Sequence, residues 1–218
     1  MNEGLNGEEI QILKERLEEE FSGYYEKAGG KNFRFFHLKF VHMAVNNLVE
    51  KDEISCLNYD KRVLEAAALF HDIGRSEDIE DGFMDPFKGH KSHAERGAEL
   101  VSDYISDILS EERVGKVEKV IANHHSSPDT VEGKILQDAD ELAKYGVSDI
   151  WRMVHYASEE DLDIEEGFEN FKNTLRPRLE EGLNQFNFGV SRDIAEKRME
   201  RQVHAISNME QEMDAEDF

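Results

Sequence analysis

The chain has 218 residues, of which 39% are hydrophobic and 34% charged, a balance typical of a globular protein rather than a disordered one. The formal net charge is −23, so the surface repels phosphate backbones and non-specific nucleic-acid binding is not expected. No apolar run approaches the roughly 20 residues that cross a bilayer, and the N-terminus lacks the basic and then apolar segments of a signal peptide. The one cysteine excludes an internal disulfide, and together these features predict a cytoplasmic protein.

The first half of the chain predicts three helices followed by a loop. Apolar residues recur at helical spacing from Ile10 to Phe21, from about residue 33 to 49, and from about residue 60 to 71. Asp60 stands where it can cap the third helix, because its side chain can accept hydrogen bonds from the first backbone N–H groups. Residues 73–90 contain three glycines and one proline and predict a long loop.

The second half is also predicted to be helical. Helices are expected at about 91–109, 111–124 and 132–145, and two or three more follow Gly146. The last of these is highly charged and runs from about residue 191 to 213. Val, Ile and Thr form no alternating runs of the kind that predict a sheet, so we expect one all-α domain.

Seven histidines and aspartates interrupt the apolar stripes of these helices. Residues three, four or seven apart share a helix face, so His71 lines up with Leu64 and Ala68, and Asp140 lines up with Leu136. The full set is His37, His71, Asp72, His93, His124, His125 and Asp140. One inward histidine is usually a satisfied core residue, but seven unpaired polar groups would each cost roughly 1–3 kcal/mol.

A divalent metal would satisfy these side chains together. Five histidines and two aspartates without a cysteine favour Mn, Fe, Co, Ni or Zn, at one or two sites. The set is too rich in nitrogen for Ca, which prefers oxygen ligands.

The ordered motifs resemble those of the HD-domain metal-dependent phosphohydrolases. They are His37, "HD" at 71–72, "HAERG" with His93, "NHH" at 123–125 and "DAD" at 138–140, and they cover residues 33–150. The later helices are similar to those of small stand-alone HD hydrolases. The resemblance implies an all-α HD-domain helical bundle with a metal site in the core between helices. It would span residues 1–218, with a metal-binding core at about 33–150 and a C-terminal helical extension at about 151–213.

The resemblance also implies a site with two divalent ions, which would be Mn, Fe, Co, Ni, Zn or Mg. The family's basic ligands fall on His37, His71, Asp72 and Asp140, with Asp72 as the bridging carboxylate. The additional histidines of members with two metals match His93, His124 and His125. Asp140 is preferred to Asp138 because its context "AD-E-L-A" matches the family's ligand, and Asp138 is the reserve candidate.

Departures from the family narrow the prediction. Phe33 stands four residues before His37, where some relatives have an acidic residue or a histidine, which argues against a third metal. The segment "SSPDTVEG" follows the histidine pair in place of the Gly-Tyr-Pro of the cyclic-dinucleotide branch, so that substrate is disfavoured. The same branch has Lys three residues after the HD aspartate, where this chain has Arg75, a cation that cannot give up a proton.

The implied function is hydrolysis of a nucleotide or another small phosphate ester, as a monoesterase or a diesterase, by a metal-activated hydroxide. The candidate catalytic residues are Asp72, Arg75 and His90. Arg75 is either a clamp for a phosphate oxygen or a cation of a surface loop. His90 is either a proton donor to the leaving group or an ordinary loop histidine.

Two other functions stay open at this point. A few HD-fold proteins bind two irons and use O₂ to cleave a C–C or C–P bond, and the same ligands would serve such an oxygenase. The chain could also be a non-catalytic metal-bound regulator or a subunit of an oligomer. The sequence thus predicts a small phosphorylated partner and no membrane partner, and it leaves the substrate and the oligomeric state open.

Overall fold

Helices dominate the fold, as the sequence predicts. The computed structural model describes residues 3–85 and 91–214, and within those ranges it contains twelve α-helices. The first eight, α1–α8, are Gly7–Phe21, Phe33–Leu48, Asp52–Ser55, Lys61–Phe70, His93–Leu100, Ser102–Ile105, Glu111–Ala122 and Val131–Glu141. The last four, α9–α12, are Ile150–Glu159, Ile164–Asn170, Arg176–Gly182 and Gly189–Met213. Short 3₁₀ helices occupy Ile73–Asp78, Leu142–Lys144, Val147–Asp149 and Leu183–Gln185, and a π-helix occupies Phe171–Leu175.

Helix α4 lies at the centre of the bundle, in contact with α2, α7 and α8. Asp60 caps it by accepting hydrogen bonds from two backbone N–H groups of the first turn, as predicted. Every residue from Val63 to Phe70 is buried, and the three alanines at 66–68 leave room for the neighbouring helices. Because α4 is buried to its end, His71 and Asp72, which follow it, lie inside the core.

A small four-stranded sheet lies beside the bundle, which the sequence did not predict. Its strands, β1–β4, are Tyr25–Glu26, Gly30–Lys31, Ile79–Glu80 and Phe83–Met84, in the order β2-β1-β4-β3. Strands β1 and β4 run parallel, and the other two pairs are antiparallel. Strands of two residues are too short to show the alternation of apolar and polar residues that predicts a strand, so the sequence pattern gave no sign of this sheet.

The predicted long loop at 73–90 contains more structure than expected. Its first six residues form the 3₁₀ helix Ile73–Asp78, and β3 and β4 then form a hairpin. Asp81 and Gly82 join the two strands with positive φ angles of 51° and 83°, which suits an Asp-Gly hairpin turn. Residues 86–90 lie outside the described residues.

The C-terminal helices form a layer against the end of α8 and the segment that follows it. The Tyr145 hydroxyl donates to the Leu179 carbonyl oxygen at 2.9 Å, and the Gly146 N–H donates to the Gln202 side chain at 3.1 Å. The layer also reaches the sheet, because the Trp151 indole N–H donates to the Gly29 carbonyl oxygen at 2.9 Å. Among the described residues, the helices are all too short or too polar to span a bilayer.

Candidate metal centre

The end of α4 directs two side chains into the middle of the bundle. His71 is fully buried and Asp72 is 3% exposed. The Nδ1 atom of His71 lies 3.0 Å from the Ala68 carbonyl oxygen, so we assign its proton to Nδ1. The lone pair of Nε2 is then free to face the side chains that arrive from the neighbouring helices.

One group of potential ligands surrounds one oxygen of Asp72. It consists of Asp72, His93, His124 and His125, whose ligand atoms all lie within 4.8 Å of one another. The Oδ1 atom of Asp72 is 3.1 Å from His93 Nε2 and 3.9 Å from His124 Nε2. His93 Nε2 is 2.8 Å from His125 Nε2. These separations are close to those between ligand atoms that share one metal ion at bonds of about 2.0–2.2 Å.

Gly74 and Gly97 bring His93 to this point. The start of α5 packs directly on the 3₁₀ helix Ile73–Asp78, and a Cβ atom at Gly74 would collide with the His93 carbonyl oxygen and the Gly97 backbone nitrogen. Glycine is therefore required at position 74 for α5 to approach. The helix begins at a Ser92 capping box, which sets the first turn where His93 stands.

A second group lies on the other side of Asp72. It consists of His37, His71 and Asp140, whose ligand atoms are also within 4.8 Å of one another. His37 Nε2 is 3.1 Å from Asp140 Oδ1 and 3.3 Å from His71 Nε2. The Oδ2 atom of Asp72 is 3.7 Å from the Nε2 atoms of both histidines. Asp72 thus presents one oxygen to each group.

His124 supplies a direct test of whether these residues fit a metal. Its Nδ1 lies 2.6 Å from the Ile121 carbonyl oxygen and takes the proton, and its Nε2 is buried without a hydrogen-bond partner in the described part of the chain. Leaving a buried acceptor unpaired costs about 1–3 kcal/mol. An unpaired imidazole lone pair that points at a carboxylate and other imidazoles fits a divalent cation.

The charge states also suit a cation. Burial lowers the pKa of His124 to about 3 and the pKa of His125 to about 4, so both rings are neutral near pH 7. Burial alone would raise the pKa of Asp72, but the charge of Arg34 holds it well below its usual range. The hydrogen bond with His37 likewise holds the pKa of Asp140 well below its usual range, against the effect of burial. Neutral imidazoles and ionised carboxylates are the forms that bind metals.

A cavity of about 370 Å³ opens onto both groups. Its cationic lining residues are Arg34, Arg75, Lys144 and Arg152. The Arg75 side chain is 14% exposed, and its Nε lies 3.4 Å from Asp72 Oδ1. Its Nη1 is buried and has no hydrogen-bond partner among the described residues. A larger cavity of about 830 Å³ adjoins the other side of the centre and shares His125, Asp140 and Lys144 with the first.

The two aspartates of the "DAD" motif contact different parts of the structure. Asp140 faces His37 and His71. Asp138 points away and accepts hydrogen bonds from Asn187 N and Nδ2, both at 2.8 Å, and from Phe188 N at 3.1 Å. Asp138 therefore ties α8 to the turn before α12.

Other predicted and unpredicted residues complete the site. His90, a predicted catalytic residue, lies outside the described residues. Sequence reasoning missed Arg34, which is buried one turn before His37 and donates to the Glu26 and Asp72 carboxylates. Its spacing of three residues from His37 places it on the same helix face, which is a signal that could have found it. Glu26 comes from β1 and had no such signal.

Residues 35–145 match the family described as the HD domain. No curated protein matches the chain.

Solved structures of three bacterial proteins share the fold. An HD-superfamily hydrolase from Bacillus thuringiensis aligns with a TM-score of 0.66 at 22% identity, over 95% of this chain and 98% of that chain. A predicted HD superfamily hydrolase from an uncultured Thermotogales bacterium aligns with a TM-score of 0.62 at 25% identity, over 94% of this chain and 91% of that chain. Bacillus subtilis YpgQ in complex with ADP aligns with a TM-score of 0.60 at 22% identity, over 93% of this chain and 97% of that chain.

Proposed function

Since the chain belongs to the HD domain family, we propose that it is a metal-dependent phosphohydrolase that acts on a nucleotide or another small phosphate ester. One observation carries the proposal. Seven side chains of ligand type, from sequence positions as far apart as 37 and 140, converge at one end of the core in two neighbouring groups, with Asp72 between them.

The two groups would hold two divalent ions. His37, His71 and Asp140 would bind one ion, His93, His124 and His125 the other, and Asp72 would bridge them. The ions would be Mn, Fe, Co, Ni, Zn or Mg. Such a pair, when bound, lowers the pKa of water towards neutrality and neutralises charge on a phosphoryl group.

Arg75 would orient the substrate. A phosphate ester brings negative charge into a protein whose net charge is −23, so it needs a local cation. Arg152 already pairs with Asp149 at 2.9 Å, and Lys144 pairs with Glu141 at 2.6 Å. Arg75 keeps a buried Nη1 without a partner among the described residues, beside Asp72. Its planar fork can donate to a phosphate oxygen and so set the angle of attack. His90 stays our candidate proton donor to the leaving group.

Two features favour a nucleotide as the substrate. The structure of Bacillus subtilis YpgQ is a complex with ADP. In this chain, the lining of the cavity of about 830 Å³ beside the metal centre combines charged side chains with neutral hydrogen-bonding ones, which are Ser126, Ser127, Gln137, Gln185 and Asn187. Side chains of this kind suit a sugar or a base better than an apolar group.

We also propose that residues 1–218 form one domain that works in a reducing compartment such as the cytoplasm. The hydrogen bonds that Asp138 accepts and that Tyr145 donates join α8 and the segment after it to the C-terminal layer. Cys56 is exposed and is the only cysteine in the sequence, so no internal disulfide is available.

The test is metal analysis of the purified protein, followed by a panel of phosphate monoesters, diesters and nucleoside phosphates with Mn²⁺ and Mg²⁺. We expect phosphate release that disappears in the His71→Ala and Asp72→Ala variants. His204→Ala, which changes an exposed histidine, is the matched control and should keep full activity. Phosphate release by His71→Ala at the wild-type rate would contradict the proposal. Bound iron with O₂ consumption would instead mark an oxygenase, and bound metal without any turnover a regulatory protein.

A further inference from the structure

A chain of buried charges runs from the small sheet to the metal centre. The Glu26 carboxylate accepts hydrogen bonds from Arg34 Nε at 3.1 Å and from Arg34 Nη2, and Arg34 Nη1 donates to Asp72 Oδ2. The three side chains are 8%, 9% and 4% exposed, in that order. One guanidinium therefore holds two carboxylates at once, with one of its edges on Glu26 and the remaining nitrogen on Asp72.

We propose that Glu26 and Arg34 are positioning residues that fix the orientation of the Asp72 carboxylate. Arg34 holds Oδ2 on the side of His37 and His71, and this leaves Oδ1 facing His93 and His124. The inference rests on the proposed function, because it takes Asp72 to be a metal ligand. Ligating carboxylates are commonly held by hydrogen bonds of this kind, and losing the outer partner typically weakens metal binding about 10–100-fold.

Stability alone is a poor reason for this arrangement. Replacing a buried ion pair by well-packed apolar residues is often neutral or stabilising, because desolvation of the two charges offsets their attraction. A guanidinium, however, has five donors in a rigid plane, so it can bind Glu26 through two nitrogens and still reach Asp72. The geometry of Arg34 uses this property fully, which points to orientation as its role.

Net charge is not what the pair contributes. Glu26 and Arg34 neutralise each other, so together they add no net charge beside the two ligand groups. Removing both residues at once would therefore leave the net charge of the region unchanged while it removes the hydrogen bond to Asp72. Removing one of them would change charge and orientation together. The paired replacement is consequently the informative one.

The sheet places Glu26 and is itself anchored from outside. Strand β1 carries Glu26 between β2 and β4. The Trp151 indole holds the hairpin at Gly29, and the Tyr25 hydroxyl donates to Glu159 at 2.6 Å. Helix α9 thus fixes the strand from which Glu26 reaches Arg34, so the C-terminal layer contributes to the geometry of the metal centre.

The experiment is a Co²⁺ titration of the charge-neutral double variant Glu26→Gln/Arg34→Gln, followed by calorimetry and by the visible absorption spectrum of the bound ion. We expect binding about 10–100-fold weaker than in the wild type and a changed absorption spectrum. Arg34→Lys keeps the charge but loses the fork, and it should weaken binding in the same direction. A double variant that melts like the wild type and keeps its affinity and spectrum would overturn the inference.

The matched control is Glu9→Gln/Arg62→Gln. Arg62 binds Glu9 through two nitrogens, at 2.6 and 3.0 Å, but this pair has no contact with the metal-ligand groups among the described residues. We expect its Co²⁺ affinity and spectrum to match the wild type. If the Glu26/Arg34 double variant does not fold, Arg34→Lys is measured in its place. Weaker Co²⁺ binding by Arg34→Lys would support the inference, and wild-type affinity and spectrum would overturn it.

Failure of this inference can be told from failure of the proposed function. If the wild type binds no Co²⁺, or if Asp72→Asn binds it as tightly as the wild type, Asp72 is not a ligand and the proposed function fails as well. If Asp72→Asn loses the ion and the double variant keeps it, only the positioning role of Glu26 and Arg34 is wrong.

Discussion

Asp138 and Asp140 form a matched pair for testing the metal centre. They lie two residues apart on α8, and both are buried, at 1% and 9% exposure. Asp140 faces two histidines, whereas Asp138 faces the backbone of another segment. Replacing each by Asn keeps its size and removes its charge. We expect Asp140→Asn to lose metal binding and Asp138→Asn to lose stability.

The size of the Asp140 effect follows from linkage. An ion that binds only the folded state stabilises it by about 2.7 kcal/mol at a concentration of 100 times Kd. For a protein of this size, that corresponds to a rise in Tm of roughly 5–10 °C. If Asp140→Asn weakens binding about 100-fold, the same concentration equals Kd and the stabilisation falls to about 0.4 kcal/mol. The metal-induced rise in Tm should then shrink to about 1 °C.

The Asp138 effect should be independent of metal. Its carboxylate accepts three hydrogen bonds from Asn187 and Phe188, and bonds to a charged group contribute about 1.5–3 kcal/mol each. Asn keeps one acceptor oxygen, so we expect a loss of about 2–3 kcal/mol, or a Tm lower by roughly 5–10 °C. The rise in Tm on adding metal should equal that of the wild type.

Thermal unfolding with and without Mn²⁺ measures both effects in one assay, and calorimetry gives the affinity directly. The His204→Ala variant again serves as the control for an exposed position. The reasoning is refuted if Asp138→Asn abolishes the metal-induced rise in Tm while Asp140→Asn retains it. In that case the reserve aspartate would be the ligand.

Three further predictions concern the substrate, the pH dependence and the metal. Arg75→Lys should raise KM for a phosphate ester about tenfold and leave Mn²⁺ affinity unchanged, because Lys keeps the positive charge but loses the planar fork of donors. Steady-state kinetics measure this change, and an unchanged KM would contradict a contact between Arg75 and the substrate. Burial raises the pKa of Asp149 to about 6, against the attraction of Arg152, so the folded state holds a proton between about pH 4 and pH 6 that the unfolded state has lost. The free energy of unfolding should therefore fall as the pH rises through this window, and Asp149→Asn should remove that slope in urea titrations and stabilise the protein at pH 7 by up to about 3 kcal/mol. Chelation of the metal should lower Tm and stop phosphate release, and adding Mn²⁺ back should restore both; turnover that survives chelation would exclude a metal-dependent reaction.

Local patterns in the sequence were enough to predict that the chain is mostly helical and that His37, His71 and Asp140 face inward, although four α-helices follow Gly146 in the described part of the chain where two or three were expected. The spacing of apolar residues along α1 and α2 reflects one buried face per helix, and that face can be read without knowing its neighbours. Histidines on several buried faces must point into the same core, because a domain of this size forms one main core. The meeting of His37, His71 and Asp140 follows from this rule.

The β3–β4 hairpin, the choice between Asp138 and Asp140, and the role of Arg34 each had a local signal in the sequence that was too weak for a firm prediction. Asp81-Gly82 is a typical two-residue hairpin turn, but strands of two residues on either side offered no alternation to support it. Asp138 and Asp140 lie on nearly opposite sides of α8 but are both buried, so their burial could not separate them. Arg34 shared the face of His37 and could have been recognised by that spacing.

The partners of Glu26, Asp138 and Asp72 emerged only once the chain was folded. Asp138 meets Asn187, which is 49 residues away, and Glu26 reaches Asp72 through Arg34. Helix periodicity is a property of residues within a turn or two of each other, and it carries no information on which distant segment will lie opposite. The positions of α9, α12 and the small sheet supply that information, and they decide which carboxylates face a metal and which face protein.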